Sequence, residues 1–293
     1  MKKVVCFGEV LWDKLPTGAV AGGAPMNVAI RLASLGMEAT MISAIGNDTD
    51  GTHLLDILKE RNVKTDLIQL NAFPTGEVLV DLNEHGHASY TIVAPAAWDA
   101  IEYNEQQQEA VLQADAFVLG SLGCRDKRTF NSLKKLLPYS HFPVLDVNLR
   151  APFFSSELIA ELAPHARLLK MNEEELDFLS KALKIDGESA ADLMQAWANR
   201  FDIDAVCVTK GSNGAQLFIN NQLYEHAGFT AKVKDTIGAG DSFLAGLLYS
   251  MLTNETPQHS LAFASALGAL VAEQEGANPE IPKSLIEHKM ASN

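Results

Sequence analysis

Near the far end of the chain, Asp235-Thr236-Ile237-Gly238-Ala239-Gly240-Asp241 sets two glycines and a carboxylate immediately ahead of an apolar run, SFLAGLLYSML. Glycines at a helix start let the backbone approach a ligand closely, and the unpaired N–H groups of the first turn then form an anion hole. Asp241, in that same turn, can accept a proton from an alcohol next to the hole. Base and anion donors sharing one short segment suit phosphoryl transfer to a hydroxyl. The plainer alternative is a first-turn Asp that only complements the helix dipole. Two other phosphate signatures are excluded. No Lys-Ser or Lys-Thr follows the glycines, as a Walker-type loop needs, and the third glycine and early βαβ position of a dinucleotide fingerprint are missing.

The elements around this segment read as an α/β protein. KVVCFGEV is a strand, and a polar, glycine-rich stretch, LWDKLPTGAVAGGAP, leads into NVAIRLASLG, apolar at helical spacing with Gly36 as its stop. EATMISAIG reads as a strand and DTDGTHLLDILKERNV as a helix capped near Asp48 or Thr49. GEVLVDLN and HASYTIV alternate around EHG as an antiparallel hairpin would, and look inserted. Afterwards DAFVLGSLG, PVLDVNLR, ARLLKMN and DAVCVTKG supply apolar strands separated by amphipathic helices, a pattern for a mostly parallel sheet covered on both faces. A second hairpin, GAQLFINNQLYEHAG, precedes the glycine segment, and SLAFASALGALVAEQ reads as a helix after it.

Taken together, GGAPMNVAIRLASLG and DTIGAGD resemble the two signatures of the ribokinase-like carbohydrate kinases, the PfkB family, in order and separation over nearly the whole chain. The resemblance implies a three-layer α/β sandwich with a mostly parallel central sheet and a small β-sheet lid. It implies one domain over residues 1–293, with the lid built from segments near 10–20 and 74–98. It further implies an anion hole at Gly238, Ala239 and Gly240, with Asp241 as catalytic base. Asn172 and Glu175 match an Asn-x-x-Glu element that holds Mg²⁺ and its waters, although the same residues would serve as a helix cap and first turn. Thr209, Lys210, Gly211 and Gly214 match a loop along the nucleotide, or a simple hairpin approach. Asp13, Gly22, Gly23 and Asn27 match the sugar-binding residues: a carboxylate and an amide can each bond two hydroxyls, and the glycines admit the ligand to the backbone. The alternative there is a loop with Asn27 near a cap.

Asp146-Val147-Asn148-Leu149-Arg150 resembles a stretch of the family's fructokinases and 2-keto-3-deoxygluconate kinases, where Arg150 would make a bidentate contact to the phosphoryl group; otherwise it is a surface ion pair of little worth. GGAPMNVA is closer to the fructokinase form, so D-fructose is the expected acceptor and ATP the donor, with other sugar kinases as rivals and a non-catalytic sugar or nucleotide sensor as the rival from another class. Glu84-His85-Gly86-His87 departs from the Gly-Glu-Arg of many relatives, while YTIVAPAAWD resembles some bacterial members; His87, Tyr90 and Trp98 could touch substrate, or pack. The resemblance also implies homodimerisation through the lid, and a K⁺ site formed by carbonyls at Asp235, Ile237 and Gly276, with Glu280 where a small hydroxyl residue is frequent.

Bulk properties agree. The chain has 293 residues, 47% hydrophobic and 20% charged, enough for a large core. It lacks a long apolar run or a signal-peptide start, so a cytoplasmic protein is expected. A net charge of -14 argues against nucleic acid or an anionic membrane as partner and means that a nucleotide must be held by local devices. Cys6, Cys124 and Cys207 share no ligand or redox spacing and read as reduced core residues, and the eight histidines form no zinc motif.

Overall fold

The computed structural model describes residues 1–15, 18–82 and 88–292. In chain order the strands are β1 (Lys3–Phe7), β2 (Leu11–Leu15), β3 (Gly18–Gly22), β4 (Glu38–Gly46), β5 (Ile68–Asn71), β6 (Gly76–Leu82), β7 (Ala88–Ile92), β8 (Ala116–Gly120), β9 (Pro143–Asp146), β10 (Leu168–Asn172), β11 (Ala205–Thr209), β12 (Ala215–Ile219) and β13 (Gln222–His226). The helices are α1 (Ala24–Ser34), α2 (Thr49–Glu60), α3 (Glu105–Leu112), α4 (Lys127–Leu136), α5 (Ser156–Leu162), α6 (Glu173–Leu183), α7 (Ala190–Phe201), α8 (Ala239–Leu252), α9 (Pro257–Ala272) and α10 (Lys283–Ala291).

Nine strands form the large sheet in the order β13-β12-β11-β10-β9-β8-β1-β4-β5, parallel from β5 through β11 and antiparallel only at β12 and β13. Its central strands are buried and mostly apolar because both faces are covered. Successive residues divide between two cores: Val5, Phe7, Phe117, Leu119 and Leu169 meet Leu133, Leu176 and Trp197 of α4, α6 and α7. Val4, Cys6, Val118, Val144 and Leu168 meet Met26, Leu54, Leu244 and Leu261 of α1, α2, α8 and α9. The expected three layers follow from this period of two. All three cysteines are free and buried, as the sequence implies. No described helix is long and apolar enough to cross a membrane.

A separate four-stranded sheet runs β3-β2-β6-β7. The glycine-rich stretch after β1, which by pattern alone is a polar connection, becomes β2 and β3 because β2 pairs in parallel with β6, Leu11 opposite Gly76 and Asp13 opposite Val78. Leu11, Val78 and Val80 bury one face of this sheet. Trp12 and Lys14 on the opposite face reach back to α2, where Trp12 Nε1 donates to the Asp50 carbonyl at 3.1 Å and Lys14 Nζ pairs with the Asp50 carboxylate at 2.7 Å.

Candidate active site

Between the two sheets lies a cleft of about 620 Å³. It sits outside the carboxyl ends of β1, β8, β9, β10 and β11, and takes in the point where strand order reverses between β1 and β8, the place that open α/β sheets reserve for ligands. The small sheet contributes Leu11, Asp13, Leu15 and Val78, the first three on one face because they alternate. The floor and far wall include Glu9, Asn27, Arg150, Lys170, Thr236, Gly238 and Asp241.

Asp241 is placed by α8. The helix begins after Gly238, which has φ 73° and supplies no side-chain cap. A Cβ at Gly238 would stand 2.6 Å from the Ala277 Cα, so only glycine lets this turn pack so tightly. Among the described residues no hydrogen bond leaves the N–H groups of Gly238, Gly240 or Asp241, which is the condition for an anion hole. Asn27 Nδ2 donates to Asp241 Oδ2 at 2.8 Å, and Asn278 Nδ2 donates to Asn27 Oδ1 at 2.7 Å. The second bond fixes the Asn27 amide so that its NH₂ group faces the carboxylate. Burial raises the Asp241 pKa to about 6; the Asp146 charge adds to this, while the Asn27 bond and the charges of Lys170 and Arg150 oppose it. Such a carboxylate is ionised at neutral pH yet more basic than a surface Asp, as a general base should be.

Opposite, a Cβ on Gly22 would collide with the Asp13 carboxylate, so the glycine makes room for that side chain. Burial raises the Asp13 pKa, with Arg150 opposing. Asp146 and Lys170 face one another across β9 and β10 and form a bidentate ion pair at 3.0 and 3.2 Å with both side chains buried. Burial works against the Lys170 charge, but Asp146, Asp241 and Glu175 outweigh it and raise its pKa. Its Nζ lies 3.5 Å from where a Cβ of Gly240 would be, putting a cation beside the glycine turn.

The structure brings together Asp13, Gly23, Asn27, Arg150, Asn172, Glu175, Thr209, Ile237, Gly238, Gly240 and Asp241 from the residues that the sequence nominates. Asn172 and Glu175 do form the capping pair: Glu175 N–H donates to Asn172 Oδ1 and Asn172 N–H to Glu175 Oε2, each at 2.8 Å, and Leu149 N–H donates to Glu175 Oε1 at 2.8 Å. Lys210, Gly211 and Gly214 do not line the cleft; Lys210 Nζ stands 3.7 Å from Glu173, and Gly214 packs on the backbone of His226 and Gly228. Asp235 clasps the Ile237 and Gly276 N–H groups with its two carboxylate oxygens, at 2.9 and 3.0 Å, so the three positions named for a cation are neighbours. Tyr90 lines the cleft mouth. Trp98 does not reach it: the ring is fully buried, with the Arg125 guanidinium stacked at 3.8 Å and held by Asp99 at 2.7 Å, so the Ala-Trp-Asp segment is packing. His87 lies outside the described residues. Sequence reading missed Glu9, Lys170 and Asn278. The signal for the first two is a charge at the end of, or within, an otherwise apolar strand.

The pfkB family carbohydrate kinase profile matches residues 1–284. The chain belongs to that family. It is 30% identical to a fructokinase of Solanum tuberosum over 305 residues, covering 95% of this chain and 92% of the relative. The fructokinase of Xylella fastidiosa, solved with bound ATP, superposes with a TM-score of 0.86 at 26% identity, covering 99% of this chain and 98% of the other. A 2-dehydro-3-deoxygluconokinase of Thermotoga maritima superposes with a TM-score of 0.83 at 22% identity over 99% and 98% of the two chains, and shares the fold. The PfkB chain described here is thus a ribokinase-like sugar kinase, with the large sheet and the separate small sheet expected of one.

Proposed function

We propose that this PfkB kinase transfers the γ-phosphoryl group of ATP to D-fructose, giving ADP and fructose 6-phosphate. The observation that carries the reading is the Asp241 carboxylate, at the mouth of an uncapped helix, oriented by Asn27 and facing a polar pocket that also holds Asp13. Asp13 and Asn27 bind sugar hydroxyls, with Gly22 and Gly23 giving them room. Asp241 takes the proton of the attacking hydroxyl as its oxygen bonds to phosphorus. The free N–H groups of Gly238 and Gly240 stabilise the charge on the phosphoryl oxygens, and Arg150 reaches them from the opposite wall, whereas Ala239, expected in the same hole, spends its N–H on the Thr236 carbonyl at 3.2 Å and does not line the cleft.

Among the described residues no group of three His, Cys, Asp or Glu is set to hold a metal by itself. The donor set suits a cation carried in on the nucleotide, with Asn172 and Glu175 meeting its waters. Mg²⁺ so bound supplies charge neutralisation between the phosphates. Thr209 lies on the nucleotide side, with the Lys210, Gly211 and Gly214 loop behind it, and Asp235, Ile237 and Gly276 frame a K⁺ site. The small sheet acts as a lid that keeps water, a competing acceptor, from the phosphoryl group. Its outward-facing apolar Leu79, 39% exposed, suits pairing of two chains into a homodimer in the cytoplasm.

A second acceptor, 2-keto-3-deoxygluconate, is favoured by one observation: Arg150 gives the cleft an exposed cation that a sugar acid could pair with. A coupled ADP-release assay over a sugar panel decides between them. Fructose is expected to turn over fastest; absence of fructose turnover beside strong 2-keto-3-deoxygluconate turnover overturns the assignment.

A further inference from the structure

Glu9 follows β1 at the point where strand order reverses, and none of the roles above uses it. It lines the cleft, yet it is only 2% exposed and has no ion-pair partner among the described residues. Buried carboxylates seldom persist unpaired. The backbone amides of Glu9 itself and of Ala24 face the carboxyl, while Oε2 has no hydrogen-bond partner. The Ala24 contact has a structural use, because α1 begins at Ala24 after Gly23 without a side-chain cap of its own. That use leaves the unpartnered Oε2 unexplained.

The surroundings hold this carboxyl in place. Gly23 has φ 112°, and a Cβ there would stand 2.5 Å from the Glu9 carbonyl oxygen and 3.4 Å from Cγ. On the other side a Cβ on Gly123 would stand 3.7 Å from Oε2. The charged and titratable groups that face it are Asp241 from α8, Arg150 from the loop after β9 and Cys124 after β8. Burial, with the Asp241 charge behind it, raises the Glu9 pKa to about 7, while the two amides and Arg150 oppose. A carboxyl that is protonated part of the time can donate as well as accept, and a second anion beside it would be repelled by both acids.

We propose that Glu9 is a sugar-binding residue of the acceptor pocket, its carboxyl hydrogen-bonding one neutral hydroxyl of the sugar from the cleft floor next to Asp241. The proposal rests on the sugar-kinase reading and deepens it: the substrate must present an uncharged hydroxyl at this point, which selects a neutral polyol over a substituent bearing a carboxylate.

The test compares wild type, Glu9→Gln and Glu9→Leu with D-fructose and its 1-deoxy, 3-deoxy and 4-deoxy forms. Sugar Kd is measured by calorimetry, KM and kcat by ADP release, and the fold by urea unfolding. Glu9→Leu is expected to weaken fructose binding by about 10- to 100-fold, and Glu9→Gln by about 10-fold or less, since the amide keeps shape and hydrogen bonding. One deoxy sugar should bind wild type and both variants equally, and KM for ATP should stay within about two-fold of wild type. Equal losses for every sugar, or a fall in kcat with unchanged sugar Kd, overturn the proposal and leave Glu9 as a helix cap. Should Glu9→Leu fail to fold, Glu9→Ala takes its place: a fructose-to-deoxyfructose Kd ratio unchanged from wild type in that variant overturns it. Wild type that neither binds nor turns over any sugar of the wider panel overturns the sugar-kinase reading itself, and this proposal with it; that outcome is distinct from an active wild type whose variants lose evenly.

Discussion

Asp241 is a residue whose chemistry works against stability. Its pKa is raised from 3.8 to about 6 by burial, so the folded protein holds this proton more tightly than the unfolded chain. The favourable contribution is complete below about pH 3.8 and is lost as pH rises through about 6, where the buried carboxylate ionises. Asp241→Asn should therefore raise the melting temperature above pH 6 while lowering kcat by about 10²- to 10⁴-fold, with sugar affinity nearly unchanged. In the wild type, kcat/KM for the sugar should fall tenfold per pH unit below about 6. A flat profile from pH 5 to 8 would remove Asp241 from the base role. Much of this residue's story is legible in sequence, because two glycines and a carboxylate at a helix start state their chemistry locally. Asn278 is not legible: its importance comes from a bond to a residue 251 positions away, and nothing near it in the chain announces that.

Among elements, β9 and β10 carry the buried Asp146–Lys170 pair at matched positions in their ladder. Removing one partner of such a pair leaves an uncompensated charge, so Lys170→Met should lower unfolding stability by about 3–5 kcal/mol in urea titration at unchanged m, and should also weaken ATP turnover. A loss under about 1 kcal/mol would mean that the pair is solvated in solution. The parallel sheet was readable because buried strands such as VVCF and AFVLG are apolar throughout. β2 and β3 were not, since LWDKL is a strand only by virtue of its partner β6, found some sixty residues on, and GAVAG only by pairing with β2. The capping pair of Asn172 and Glu175 shows a different limit: the sequence offered two uses for the same residues, and the observed bonds fulfil the structural use while leaving both at the cleft wall.

For the whole molecule, a net charge of -14 surrounds a cleft that receives a highly anionic nucleotide. Lys170 and Arg150 line that cleft and, on the proposed reading, act at contact range, where salt screens little, whereas the general repulsion acts over a Debye length of about 8–10 Å and is screened easily. Raising ionic strength from about 10 to 150 mM with tetramethylammonium chloride should accordingly increase kcat/KM for ATP. A decrease would show that local cations dominate the approach as well as the binding. The long-range bond from Asn27 to Asp241, spanning 214 residues, has its own consequence for the chain as it folds. A partly collapsed chain can hold the start of α1 or the glycine turn before α8, but Asn27 and Asp241 meet only when these distant parts of the sequence have docked. On the proposed roles, immature copies are therefore inert toward the cell's energy currency until both ends of the chain are in place.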